Sequence, residues 1–394
     1  MNTAPVANSE HKPLRVLYIT HYNLFGGGGN LSLWYLMLDL RKRYGVTPSI
    51  LMPSEGPLSE ECRKNNIETF CTKFRMWVES GNSLYRTLRS TARLVLNRCV
   101  HNRKIFSLLK DKHFDIIHTA STLPETGLFI SEHFSVPHVW HLTEYGPYGY
   151  NIHYAMPRWY VRSRFSKSAA LIAISGAIRD AFVNVSGLCP AEKTKVIYNG
   201  LKVPEPFEKT YTQDGRINFC MVGFVFPTKN QAMAIRACAK LKDITDKFTL
   251  HIIGSGDIDG MKSLAESLGV GQNVKFWGSR NDVYDILHDM DVGLTLTNFE
   301  GFGRVTVEYM LHYMPVLVSD TGANPEIVLD GETGCICPLG DHEKLAELMH
   351  RFIAHPELLR TMGSKGRERA EKCFSLEHNT DETYALYQEI LNRR

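Results

Sequence analysis

No stretch of about 18 uncharged apolar residues occurs in this 394-residue chain, so no membrane-crossing helix is expected. Residues 1–13 are polar and lack the apolar core of a secretory signal; they read as a disordered leader. Nine cysteines, at 62, 71, 99, 189, 220, 238, 335, 337 and 373, include no Cys-x-x-Cys pair. That pattern argues for reduced thiols in a cytoplasmic protein, not for a disulfide framework or a zinc site. Cys335-Ile-Cys337 comes nearest to a cluster, but alternation along a short strand accounts for it, since no neighbouring Cys or His completes a four-ligand set. A dinucleotide fingerprint is missing too, because the third glycine of G-x-G-x-x-G would fall at Leu31. No Asp-x-Asp follows a strand to hold Mg²⁺, and Asp257-Ile-Asp259 lies in a glycine turn where solvated acids are common. No nucleic-acid-binding module is recognisable.

What is present fits a soluble globular protein, with 43% hydrophobic and 22% charged residues, and the length predicts two domains or three. The net charge of +3 hides an asymmetry: residues 1–200 hold 24 Lys+Arg against 14 Asp+Glu, and residues 201–394 hold 21 against 28. Residues 81–110 concentrate the excess in Arg86, Arg89, Arg93, Arg98, Arg103, Lys104 and Lys110, with no acid among them. Leu84, Leu88 and Phe106 are interleaved. A helix of this kind suits an anionic membrane surface; it suits equally well an apolar stripe turned to the core with a solvated back. A second basic cluster spans residues 156–167, around Trp159.

The order of patterns is that of a doubly wound α/β chain. Leu14–Thr20 reads as a buried strand, Gly26–Gly29 as an anion-tolerant loop and Leu31–Leu40 as a helix. Segments 114–119, 136–141 and 170–175 read as further parallel strands, whose carboxyl ends point at His118, His141 and Ser175. Asn199-Gly200 supplies hinge chemistry, and residues 201–216 read as a polar linker. The pattern then restarts: 217–223 reads as a strand, 250–256 and 274–280 each as a strand and turn, 292–297 as a buried strand, and 315–326 as a strand and glycine turn. The division is thus 14–200, linker 201–216, 217–375, and a closing helix 376–394.

The densest segment is Asn298-Phe-Glu-Gly-Phe-Gly-Arg304, followed by Val305–Tyr313, a helical pattern holding Glu308. Glu300 falls in the strand-to-helix loop and Glu308 about one turn inside the helix. Gly301 and Gly303 let backbone approach a ligand, and a helix start offers N–H groups to an anion. Two glutamates alone would be explained as well by a surface loop and a favourable helix dipole.

This segment resembles the E-x7-E signature of the retaining glycosyltransferases of family 4, and weaker likenesses cover nearly the whole chain. The resemblance implies the GT-B fold, two Rossmann-like domains facing across a cleft, and transfer of a sugar from a UDP- or GDP-linked donor with retention and without a required metal or other cofactor. It further implies that Glu300 with Gly301, Phe302 and Gly303 meets donor sugar and phosphate, that Glu308 holds the ribose, and that Lys229 binds the diphosphate. By the same likeness, Gly28 and Gly29 face the donor phosphates, Gly254 and Trp277 border the nucleotide, and His141 lies near the reacting sugar; a structural histidine remains the competing account of His141. Asn324 and Glu326 are secondary candidates on the donor side, and Glu144 on the acceptor side. One departure stands out: Phe224 occupies the place of an expected arginine. The expected acceptor is a saccharide or lipid-linked saccharide in surface polysaccharide or glycolipid assembly, at the inner face of the membrane. A GT-B epimerase, a phosphorylase and a non-catalytic sugar-nucleotide sensor are the alternatives.

Overall fold

The computed structural model describes residues 13–26, 28–80, 98, 100–146, 152–212 and 215–393. Two parallel sheets organise the chain. The first has seven strands in the order Glu68–Cys71, Thr47–Met52, Arg15–Ile19, Ile116–Ala120, His138–Leu142, Ala170–Ala173 and Thr194–Val196. The second has six, in the order Val274–Gly278, Phe248–Ile253, Ile217–Val222, Val292–Thr295, Val316–Ser319 and Gly334–Cys337. Numbered along the chain, the first runs 3-2-1-4-5-6-7 and the second 3-2-1-4-5-6, the doubly wound order, which opens a crevice beyond the carboxyl ends of strands 1 and 4. Helices cover the faces, which is why most strands are continuous buried apolar runs.

The chain passes from the first sheet to the second at residues 200–201 and returns at 375–376, and the two crossings are hydrogen-bonded side by side. Leu201 N donates to Phe374 O at 2.9 Å and Leu376 N to Leu201 O at 2.7 Å. Gly200 is required there, since a Cβ would stand 2.6 Å from Leu376 Cα. Ser375 then caps the final helix, Leu376–Asn392, by accepting from His378 N. That helix inserts Leu386, Tyr387 and Ile390 into the core of the first sheet, beside Val16, Tyr18 and Leu40. Arg43 and Asp381 pair at 2.5 Å, and Tyr44 stacks on Tyr384.

Much of the basic segment 81–110, including Arg86, Arg89 and Arg93, lies outside the described residues. Within its described part, Ile105 and Leu109 are buried among Leu17, Ile19 and Ile117, so that apolar face is turned to the core. Arg98 pairs with buried Glu125 and is not part of an exposed basic face. Among the described residues no helix is long and apolar enough to cross a membrane, and no group of three metal-ligating side chains occurs. Cys335 and Cys337 are buried in their short strand.

A row of histidines lies within the first domain. His118 Nδ1 meets Tyr387 Oη at 2.5 Å, its Nε2 meets His141 Nδ1 at 3.2 Å, and His138 is held between Thr119 and Ser168. Burial holds these rings neutral, lowering His141 to about 4, His138 to about 3 and His118 well below the ordinary 6.5. The unfolded chain takes up these protons once the pH falls below 6.5 and the folded chain does not, so stability declines toward pH 4. Each ring contributes up to about 1.4 kcal/mol per pH unit in that window. Urea midpoints are accordingly expected to be level above about pH 7 and to fall steeply between about pH 6.5 and 5.

Candidate functional site

A cavity of about 380 Å³ lies between the two sheets at their carboxyl ends, a volume suited to a small-molecule ligand. The first domain contributes Gly28 and Gly29, which open the helix Gly28–Tyr44, and Thr143 to Tyr145, which follow the strand His138–Leu142. The second domain contributes Lys229 and the loop Glu300–Gly303, with Arg304 and Val305. These second-domain segments follow strands 1 and 4 of their sheet, the crevice position of a doubly wound fold.

Local chemistry shapes the loop. Gly303 takes φ +87°, a conformation glycine adopts without strain, and starts the helix Arg304–Leu311; Glu300 Oε1 accepts from Gly303 N at 3.0 Å. Tyr313 at φ +58° and Pro315 end the helical run and lead into the next strand. Phe302 is buried against Tyr198 and Phe374 and so anchors the loop. The chain is threaded close here, because a Cβ on Gly322 would meet Glu300 O at 2.3 Å.

Each glutamate of the segment faces one cation. Lys229 Nζ stands 3.5 Å from Glu300 Oε2, and Arg304 lies 3.6 Å from Glu308 Oε1, both longer than a charge-assisted hydrogen bond. Burial pushes the Glu308 carboxyl up and Arg304 pulls against it; Tyr284 Oη lies 3.3 Å from the same oxygen. Among the contacts between the domains at this cavity, Arg304 donates to Ser32 Oγ at 2.9 Å, and Tyr145 Oη to Glu300 O at 3.1 Å. Glu144, opposite, is anchored by Ser121 Oγ, Thr143 Oγ1 and the backbone and hydroxyl of Thr122.

The structure thus brings Gly28 and Gly29 of the first domain and Lys229, Glu300, Gly301, Phe302 and Gly303 of the second to one cavity, with Glu308 one turn behind. Other expected site residues are placed elsewhere. His141 is not in the wall: its side chain turns to His118, with Nε2 buried and unpartnered, while Thr143 and Glu144 reach the cavity. Trp277 donates to His251 Nδ1 at 3.1 Å on the sheet face and does not line the cavity. Gly254 is explained by its neighbour strand, since a Cβ would stand 1.9 Å from Gly223 O. Glu326 does not approach the cavity wall; its carboxylate accepts from Gly176 N at 2.7 Å and Ala177 N at 2.6 Å, fastening the second domain to a helix start of the first. Asn324 is buried against Thr295 O and Ser319. Phe224 is 58% exposed with its ring beside Phe226, and brings no charge to the loop. Local patterns gave no sign of Ser32, Tyr145 or Tyr284. A second Asp-x-Asp, Asp289 and Asp291, precedes a strand, and Asp291 is spent on the backbone N–H groups of Thr212 and Asn218.

Residues 203–369 match the family described as Glycosyl transferases group 1, and residues 26–203 match Glycosyltransferase Family 4. Each half of the chain thus matches a glycosyltransferase family model. Among curated relatives, the putative glycosyltransferase EpsD of Bacillus subtilis (strain 168) is 30% identical over 165 residues, 42% of this chain and 43% of that protein. The capsular polysaccharide biosynthesis glycosyltransferase CapM of Staphylococcus aureus is 26% identical over 236 residues, 56% and 62% of the two chains. The chain therefore spans less than two thirds of the length of either relative. Among solved structures, Anabaena Alr3699/HepE in complex with UDP superposes with a TM-score of 0.77 at 20% identity, over 95% of this chain and 100% of that one. The fold is GT-B, as the sequence led one to expect.

Proposed function

We propose that this protein transfers a sugar, with retention of anomeric configuration, from a nucleoside diphosphate sugar to a saccharide or lipid-linked saccharide acceptor in surface polysaccharide or glycolipid assembly. The observation that carries the reading is the single cavity wall on which a carboxylate, a lysine and a helix start lie within one strand-to-helix connection and its neighbour. A relative named for capsular polysaccharide biosynthesis and a structural neighbour solved with UDP support it.

In this reading Glu300 accepts hydrogen bonds from donor-sugar hydroxyls and Glu308 from the ribose. Lys229 and the amides at the start of helix Arg304–Leu311 stabilise charge developing on the departing diphosphate, so the mechanism assigns no step to a metal. The bond from the anomeric carbon to the phosphate oxygen breaks as the acceptor oxygen bonds on the same face. The acceptor proton passes to the departing phosphate oxygen, which needs no separate protein base. On the first domain, Thr143 and Glu144 take the acceptor-facing place, and His141 supports their strand from within.

Purified protein incubated with UDP- and GDP-sugars and oligosaccharide or lipid-linked acceptors is expected to give a product whose anomeric coupling in proton NMR matches that of the donor. Inverted product would overturn retention. Donor epimerisation without any acceptor, or sugar phosphate released by inorganic phosphate, would replace the reading with an epimerase or a phosphorylase.

A further inference from the structure

We propose that Arg304 is a second phosphate-binding cation of this cavity, reaching across the cleft so that one guanidinium serves the donor diphosphate and the closed arrangement of the domains; this rests on the donor reading above. Among the described residues that line the cavity, only Lys229 and Arg304 carry positive side chains. Lys229 is the more exposed, at 42%, and Arg304 the more enclosed, at 14%. A point charge near solvent is screened, whereas an enclosed guanidinium keeps its strength and offers a planar fork suited to phosphate oxygens.

The surroundings fit an arginine laid along the first-domain loop. A Cβ on Gly28 would stand 3.0 Å from Arg304 Cδ, so glycine at 28 leaves the stem its path. The same loop backbone lines the cavity, which places the guanidinium beside the position a diphosphate would take between the glycine loop and the helix start. Its partners are a neutral hydroxyl, Ser32 at 2.9 Å, and a carboxylate at 3.6 Å, a separation that leaves the charge only loosely committed. A guanidinium has five N–H donors, so phosphate oxygens can be bonded without giving up Ser32.

Titration calorimetry with UDP, UMP and uridine, and with GDP, GMP and guanosine, tests this on the full chain. Arg304→Met is expected to lose at least about tenfold in affinity for the diphosphate, to keep its affinity for the nucleoside, and to regain part of the loss as Arg304→Lys. Melting temperatures of both variants check folding. Diphosphate affinity in Arg304→Met equal to wild type would overturn the proposal. So would equal losses for diphosphate and nucleoside, which would mark Arg304 as a support for Glu308. Wild-type protein that binds none of these nucleotides would remove the donor reading itself, an outcome distinct from unaltered binding by the variant.

Discussion

Glu300→Gln is expected to lower kcat/KM for sugar transfer by about 10²–10³ while leaving the melting temperature near that of the wild type. The amide keeps an oxygen that can accept from Gly303 N, now bonded at 3.0 Å, so the helix start stays capped. What is lost is the negative charge facing Lys229 at 3.5 Å and one of the carboxylate's two accepting oxygens, since the amide nitrogen only donates. Because Lys229 is 42% exposed, its pairing with Glu300 is solvent-screened and contributes little to stability. The loss should therefore fall on turnover. Transfer from radiolabelled donor by the variant at the wild-type rate would remove Glu300 from the proposed mechanism.

Gly254→Ala is expected to act in the opposite manner, destabilising the fold by about 3 kcal/mol or more without a specific effect on nucleotide affinity. Gly254 adopts φ +151°, which side-chain-bearing residues rarely do, and its missing Cβ leaves room for Gly223 O at what would be 1.9 Å. Both clashing groups are backbone of adjacent connections, so neither can rotate away. A lowered urea midpoint with unchanged nucleotide affinity in the folded fraction is the expected pair of results. A stable variant with weakened nucleotide binding would instead return Gly254 to the ligand site.

The two sheets were legible because parallel strands buried on both faces leave continuous apolar runs, and the run–glycine–helix pattern recurs from Leu14 onward. The donor-side loop was legible for a local reason as well: Glu300, Gly303 and Arg304 lie in one connection, so their spacing carries their geometry. Which way a strand-end side chain points was not. His141 stands at a strand end, but its face was settled by His118 on the neighbouring strand and by Tyr387 from the far end of the chain. Glu326 followed a glycine turn much as a ligand-binding acid would, and its partners proved to be amides of the other domain. Ser32 meeting Arg304 is of the same kind. Such pairings depend on how two domains face one another, and no short-range pattern records that.

The return of the last helix makes the molecule topologically indivisible. Leu386, Tyr387 and Ile390 complete an apolar core begun by Val16 and Tyr18, so the amino-terminal lobe is finished only after the carboxyl-terminal lobe has been synthesised. A fragment ending at the first crossing would expose that incomplete core to water, and a premature stop a few residues from the end would damage the lobe at the other end of the sequence. Neither lobe can be exchanged for a relative's by a single splice; a working chimera has to carry residues 376–392 with the lobe they complete.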